Sequence, residues 1–455
     1  MFTRLTIYVL LALVPLPFGS ARPGWQWLWV LMVGLLALGH TFLARKYSRI
    51  SLPPAIKVAF GLMSAFIAWG LFQASPLFEV VGSMASLPID AQLPDMVGNR
   101  MHGDPAMAVT MYFLAHLLFF YLVFRYCTDA DKAIKLLRFC GIVAFLYAAY
   151  GFIIYVMGND YVLWYEKAGN PGTRSLTGTF INRNNFAAFL GIGLQCLVAY
   201  AYLYFRQSFR SQGLTGRHLY RYIIETVVSR AWWLGLGILL IATALLLTQS
   251  RGGVASVSAA TFLLMILAKR RGTRGGFRVR TLASYGAMLL FAVGLFALSG
   301  DNLESRLTSD TGMNDRFVMY PLVVDAIVDA PLTGTGLGTF SEVFATYRTE
   351  EVSPFFLRAH SDYLELALTA GIPAAILVFI ACLMPAVYLL RNLGSSDEHR
   401  CFIALGVSVS MQIGLHSLID FPLQVPAISY FTCAVLAATV AVAARTNKMA
   451  AQTPA

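Results

Sequence analysis

The sequence predicts an all-α polytopic membrane protein of about twelve spans, with a large outer loop between spans nine and ten. Three observations predict it. Of 455 residues, 58% are hydrophobic, and the mean hydropathy is +0.65. Charged residues make up only 13%, against roughly 25% in a soluble domain. Apolar runs of about 18 residues recur along the whole chain, and each can cross a hydrocarbon core ~30 Å thick. No room is left for a large soluble domain.

The first run, Leu5 to Pro17, has the character of a signal peptide. No small-x-small cleavage site clearly follows it, and a second run begins at Trp25, so it is read as the first span, near 5–20. The others are expected near 25–43, 56–72, 106–124, 138–157, 185–205, 231–249, 254–268, 281–299, 366–390, 401–417 and 428–444. Residues 1–299 then carry nine spans, 300–365 form the outer loop with short helices, 366–444 carry three spans and 445–455 are an inner tail.

Charge orients the array. With the N-terminus inside, most of the 34 Lys and Arg fall on inner segments and most of the 23 Asp and Glu on outer ones. The inner basic clusters are Arg45, Lys46 and Arg49; Arg206, Arg210, Arg217 and Arg221; and Lys269, Arg270, Arg271, Arg274, Arg278 and Arg280. This is the positive-inside pattern, and it places both termini in the cytoplasm. It also accounts for the net charge of +11 without a nucleic-acid partner, with anionic membrane lipids as secondary contacts. None of the six cysteines lies in an outer segment, which argues against an outer disulfide. No Cys or His spacing suggests a metal site, and no cofactor is expected.

Four outer segments could do chemistry: 73–105, 158–184, the short turn 250–253 and the loop 300–365. In the loop, Phe340, Val343, Phe344 and Tyr347 recur at helical spacing as an amphipathic face. Asp315 is expected to cap a helix through Val323 to Val328, and Asp362 with Glu365 to form a capping pair at the start of span ten. The glycines of PLTGTGLGTF, residues 331–340, follow no predicted strand and read as a tight turn between two loop helices.

The candidate chemical residues lie on these segments. Arg183, among Asn182, Asn184 and Asn185, opens span six, where a helix N-terminus favours an anion. The same residues also fit a snorkelling Arg beside capping Asn side chains. Arg251 sits between two apolar runs, where a charge is costly unless used, or else tethers a turn. Arg316 offers a planar fork for phosphate oxygens, or a salt bridge to Asp310 or Asp315. His360 precedes span ten and has the chemistry of a general base near neutral pH, although Asp362 could serve as a rival. His416 and Asp420, four residues apart, could pair with each other or with an Arg across the site.

In chain order, TGTFINRNNFAAFL, TQSRGG, NDRFVMY, DAPLTGTGLGTF, AHSDYLELALTAGIP and HSLIDFPLQVPA resemble the O-antigen ligase and polymerase superfamily of membrane glycosyltransferases. The resemblance covers residues 176–427; the first five spans match in topology alone. It implies a GT-C-like protein of the bacterial inner membrane, with its active site on the periplasmic face. It implies metal-independent transfer of a glycan from an undecaprenyl pyrophosphate carrier to an acceptor hydroxyl, on another glycan or on lipid A-core. Arg251 and Arg316 resemble the pyrophosphate-contacting arginines, Arg183 a recurrent arginine, and His360 the base; Asp362, His416 and Asp420 would support them. Ser361 stands where the family often has Asn, and this does not separate ligase from polymerase. The competing reading is a lipid-linked glycan flippase or transporter. Such a protein should carry charges deep in several spans, and mid-span acids are nearly absent here.

Overall fold

The computed structural model describes residues 2–43, 50–78, 103–166, 175–210, 231–268, 311–349, 357–393 and 397–452, with isolated positions at 221, 225, 229 and 352. The described chain is helical throughout, apart from one small antiparallel hairpin, β1 (Tyr161–Val162) with β2 (Tyr165–Glu166). Before the first long outer segment come α1 (Phe2–Leu13), α2 (Pro23–Leu43) and α3 (Pro54–Gln73), followed by α4 (Gly103–Tyr126) and α5 (Ala130–Val156). The central helices are α6 (Arg183–Arg210), α7 (Trp232–Leu247) and α8 (Arg251–Ala268). The loop contributes α9 (Thr311–Asp329) and α10 (Phe340–Tyr347). The C-terminal part holds α11 (Asp362–Ala370), α12 (Ile372–Arg391), α13 (Asp397–His416) and α14 (Pro426–Gln452).

Among the described residues, eight helices are long and apolar enough to cross a membrane, and α1 and α7 are shorter apolar helices. This is an all-α polytopic membrane protein. The expected ninth span, 281–299, lies outside the described residues, as do most of the inner segments 206–230 and 269–280, and also His102 and Asp310.

Burial sorts the helices. α6 and α14 form the interior and are buried along most of their length. α2, α7 and α12 expose Leu31, Leu35, Leu239 and Leu383 on their outer faces, as a lipid-facing surface requires. Small residues allow close approach: a side chain at Gly193 would collide with Ala144, so α5 and α6 touch nearly backbone to backbone. Between α6 and α13, Gln195 donates to Gln412, whose own amide donates to the Ala188 carbonyl at 2.8 Å. This buried amide pair fixes the register of the two helices.

Three expectations are corrected. Span ten is not one continuous helix: α11 and α12 meet at Gly371, whose φ of +85° ends the first helix. A side chain there would strike the Leu332 carbonyl, so only glycine lets the 331–340 turn pack onto the break. Thr335 N and Gly336 N donate to Leu368 O and Thr369 O, and Trp69 Nε1 donates to Ala370 O at 2.9 Å. Asp362 is not the cap of α11. That cap is Ser361, whose side chain accepts from Leu364 N. Asp315 does not start a helix either, because α9 already begins at Thr311.

The 331–340 segment does join the two loop helices as a turn, and the amphipathic face of α10 packs inward. Phe340 and Phe344 are buried with Met319, Val323 and Ile327 of α9 and Leu368 of α11. This small core ties the loop to the membrane helices.

Candidate active site

The register of α6, α8 and α13 brings three chain segments to one end of the bundle. α13 ends at His416, but one further turn continues, with Asp420 N donating to His416 O at 3.0 Å. That turn lies against the first turn of α8, where a side chain at Gly252 would collide with Ile419. It also lies against the first turn of α6, where Asn184 Nδ2 donates to Asp420 Oδ2 at 2.5 Å.

Asp420 is the hub. Its side chain is 1% exposed, and a buried carboxylate is tolerated only when paired and hydrogen-bonded. Oδ1 accepts from Phe421 N at 2.9 Å and lies 3.6 Å from His360 Nδ1. Oδ2 lies 3.6 Å from Arg316 Nη2. Burial alone would raise the carboxyl's pKa. The nearby His360, with the charges of His416 and Arg316, outweighs burial and holds it below the usual carboxylate range. Arg316 reaches across to Asp420; the side chains of Asp310 and Asp315, the other partners open to it, lie outside the described residues.

His360 stands between these groups. Arg316 Nη2 is 3.3 Å from its Nδ1, and the ring meets Phe421 edge-on with centroids 5.2 Å apart. Nδ1 thus faces a donor-only guanidinium and a carboxylate at once; in the tautomer with the proton on Nδ1 that proton points to Asp420 and Nε2 is the ring's acceptor. The backbone at His360 has a φ of +47°, a left-handed conformation uncommon for a residue with a side chain. The chain on either side is fastened: Ala359 N donates to Glu365 Oε2 at 2.9 Å, and Asp362 N donates to Ser417 O and Asp420 O.

The remaining sequence candidates surround the hub at different distances. Arg251 and Arg183 are the first residues of α8 and α6, and both are exposed. Each lies next to a residue that touches the Asp420 turn, Gly252 and Asn184 respectively. The cap beside Arg251 is Ser250, whose Oγ accepts from Gly253 N at 3.2 Å. His416 is buried under the turn, with Nδ1 3.4 Å from Ser256 Oγ of α8. Nε of Arg316 and Nε2 of His416 are buried without a hydrogen-bond partner among the described residues.

Asp362 has partners of its own. Its carboxylate accepts from Ser417 Oγ at 2.8 Å, Leu423 N at 3.1 Å and Gln424 Nε2 at 3.2 Å. Burial pushes its pKa up to about 7, despite those donors. Asp362 also forms part of the wall of a cavity of about 540 Å³ between α3, α4 and α11–α14. Phe60, Met63, Phe113 and Phe379 line its apolar part.

Two residues of the cluster have no site role in the sequence reading. Asn184 enters it as a cap and donor beside Arg183, and Tyr320, whose hydroxyl donates to His360 O at 2.8 Å, only as the last residue of NDRFVMY. The available signal was spacing: Tyr320 lies one helical turn after Arg316 and so shares its face.

Residues 236–379 match the family model described as O-antigen ligase. The match spans most of α7, then α8, the loop helices, α11 and the first part of α12, and so contains Arg251, Arg316 and His360. No curated protein matches the chain.

Proposed function

We propose that this chain, a member of the O-antigen ligase/polymerase superfamily, transfers a glycan from an undecaprenyl pyrophosphate carrier to an acceptor hydroxyl at the periplasmic face of the bacterial inner membrane. The observation that carries this reading is the meeting of His360, Asp420 and Arg316: Nδ1 of His360 lies 3.6 Å from Oδ1 of Asp420, and Nη2 of Arg316 lies 3.3 Å from that Nδ1 and 3.6 Å from Oδ2 of Asp420.

Chemistry follows from that geometry. Asp420 holds the Nδ1 proton, so Nε2 of His360 takes the proton of the acceptor hydroxyl as its oxygen attacks the anomeric carbon. The new C–O bond forms while the bond from that carbon to the carrier's phosphate oxygen breaks. The leaving pyrophosphate keeps its negative charge. Arg316 meets that charge through its guanidinium, and Arg251 and Arg183 add two further cations at helix N-termini. Arg rather than Lys at all three places suits bidentate binding of phosphate oxygens. No external energy source is needed, because the sugar–pyrophosphate bond supplies it. The apolar cavity beside Asp362 suits a stretch of a prenyl chain, which supports a lipid-linked donor.

Surface glycan from cells lacking the gene, separated on a gel, tests the reading. Single repeats attached to core, without long chains, indicate a polymerase acting on a glycan acceptor. Unmodified core with carrier-linked polymer indicates a ligase acting on lipid A-core. An unchanged glycan pattern would leave the proposal without support.

A further inference from the structure

We propose that Tyr320 is a positioning residue for this transfer: its hydroxyl holds His360 in the left-handed backbone conformation that sets the imidazole against Asp420 and Arg316. The proposal rests on the reading of His360 as the base.

The backbone at His360 is the starting point. A φ of +47° is strained for a side chain of this size, and such strain persists only where the surroundings impose it. The neighbouring residues are fastened by other groups. Glu365 takes Ala359 N, and Ser361 Oγ donates to Ser417 O at 3.2 Å. The carbonyl of His360 itself receives the Tyr320 hydroxyl at 2.8 Å.

Tyr320 and Arg316 are one turn apart on α9, so a single helix face reaches His360 at two points. The guanidinium meets the ring at Nδ1 and the hydroxyl meets the backbone. The same hydroxyl lies 3.4 Å from Leu418 O, in the turn that leads to Asp420. It therefore stands between His360 and the turn that carries Asp420. Burial raises its pKa, so it remains a donor at neutral pH. The ring of Tyr320 packs against the Met319–Phe344 core. Tyr320→Phe keeps that packing and deletes the hydroxyl alone.

The test uses the purified full chain with lipid-linked donor and acceptor. Tyr320→Phe should lower kcat by about 10-fold or more with little change in KM, because displacement of a reacting group costs rate rather than binding. In a His360→Ala background the same substitution should have no further effect. A second readout does not need activity: the rate at which diethyl pyrocarbonate acylates His360, followed by peptide mass spectrometry, should differ between wild type and Tyr320→Phe. A wild-type kcat, an equal loss in the His360→Ala background or an unchanged acylation rate would each overturn the proposal. If His360→Ala alone keeps full transfer, the base reading fails instead, and the acylation rate still reports whether Tyr320 holds His360.

Discussion

Nδ1 of His360 faces Oδ1 of Asp420 at 3.6 Å, although the two residues belong to different segments, one ahead of α11 and the other beyond α13. On the proposed mechanism this carboxylate holds the proton on Nδ1, and Nε2 acts as the base. The predictions below follow from this pairing and from the cations around it.

Asp420→Asn keeps the shape of the hub and removes its charge. Transfer should fall by about 10²-fold or more, because the ring loses the partner that orients it and stabilises its charged form. The carboxyl is held below its usual range, so its stabilising contribution is present above the ordinary carboxylate pKa and is lost as pH falls through the lower folded value. Between pH 5 and 8 its charge should stay constant. A rate within a few-fold of wild type, measured on purified protein, would remove Asp420 from the account.

Asp362 has the opposite sign. Burial pushes its folded pKa up to about 7, above the unfolded value of ~3.9. Its contribution to stability is therefore fully present at acid pH below that unfolded value and is lost as pH rises through about 7. The apparent Tm in detergent should drop between pH 5 and 8, and Asp362→Asn should flatten that slope. An identical slope in the two proteins would show that Asp362 does not titrate there.

Arg251→Lys and Arg316→Lys retain charge but lose the planar fork. Both should insert normally and transfer poorly, on the order of 10-fold down or more for Arg316, whose guanidinium also touches Asp420 and His360. Steady-state kinetics against donor concentration would measure this. Near-normal rates in both variants would leave the pyrophosphate role unsupported.

The orientation is tested by single-cysteine labelling in a cysteine-free background. A cysteine at position 275 should resist an impermeant reagent added outside intact cells, because the positive-inside pattern predicts a cytoplasmic place for the basic cluster around it. Labelling of that position would invert the whole arrangement.

The membrane helices were legible in the sequence because burial in lipid demands long apolar runs, and those runs survive any tertiary arrangement. The break at Gly371 was not legible. Glycine in an apolar run is compatible with an unbroken helix, and the break appears only when the Leu332 carbonyl is packed against it. His360, Arg316 and Asp420 were named from residue chemistry, but the sequence could not say that they meet. Their partners lie far apart in the chain, and the meeting depends on the register that Gln195 and Gln412 set between α6 and α13. Asp362 was misread for a related reason. An Asp followed three residues later by Glu looks like a local cap, whereas its hydrogen bonds run to Ser417, Leu423 and Gln424 across the fold.

The central claim is that His360 takes the acceptor's proton, and the rate of purified enzyme against pH, for wild type and His360→Ala, tests it most directly. A positioned base contributes ~10²–10⁴-fold. The account predicts a loss of that order in the mutant at normal expression, together with disappearance of the wild-type acidic limb, while His102→Ala, at a histidine of the outer segment 73–105, behaves as wild type. A His360→Ala enzyme that keeps most of the rate and the same acidic limb would contradict it and make Asp362 the next candidate for the base.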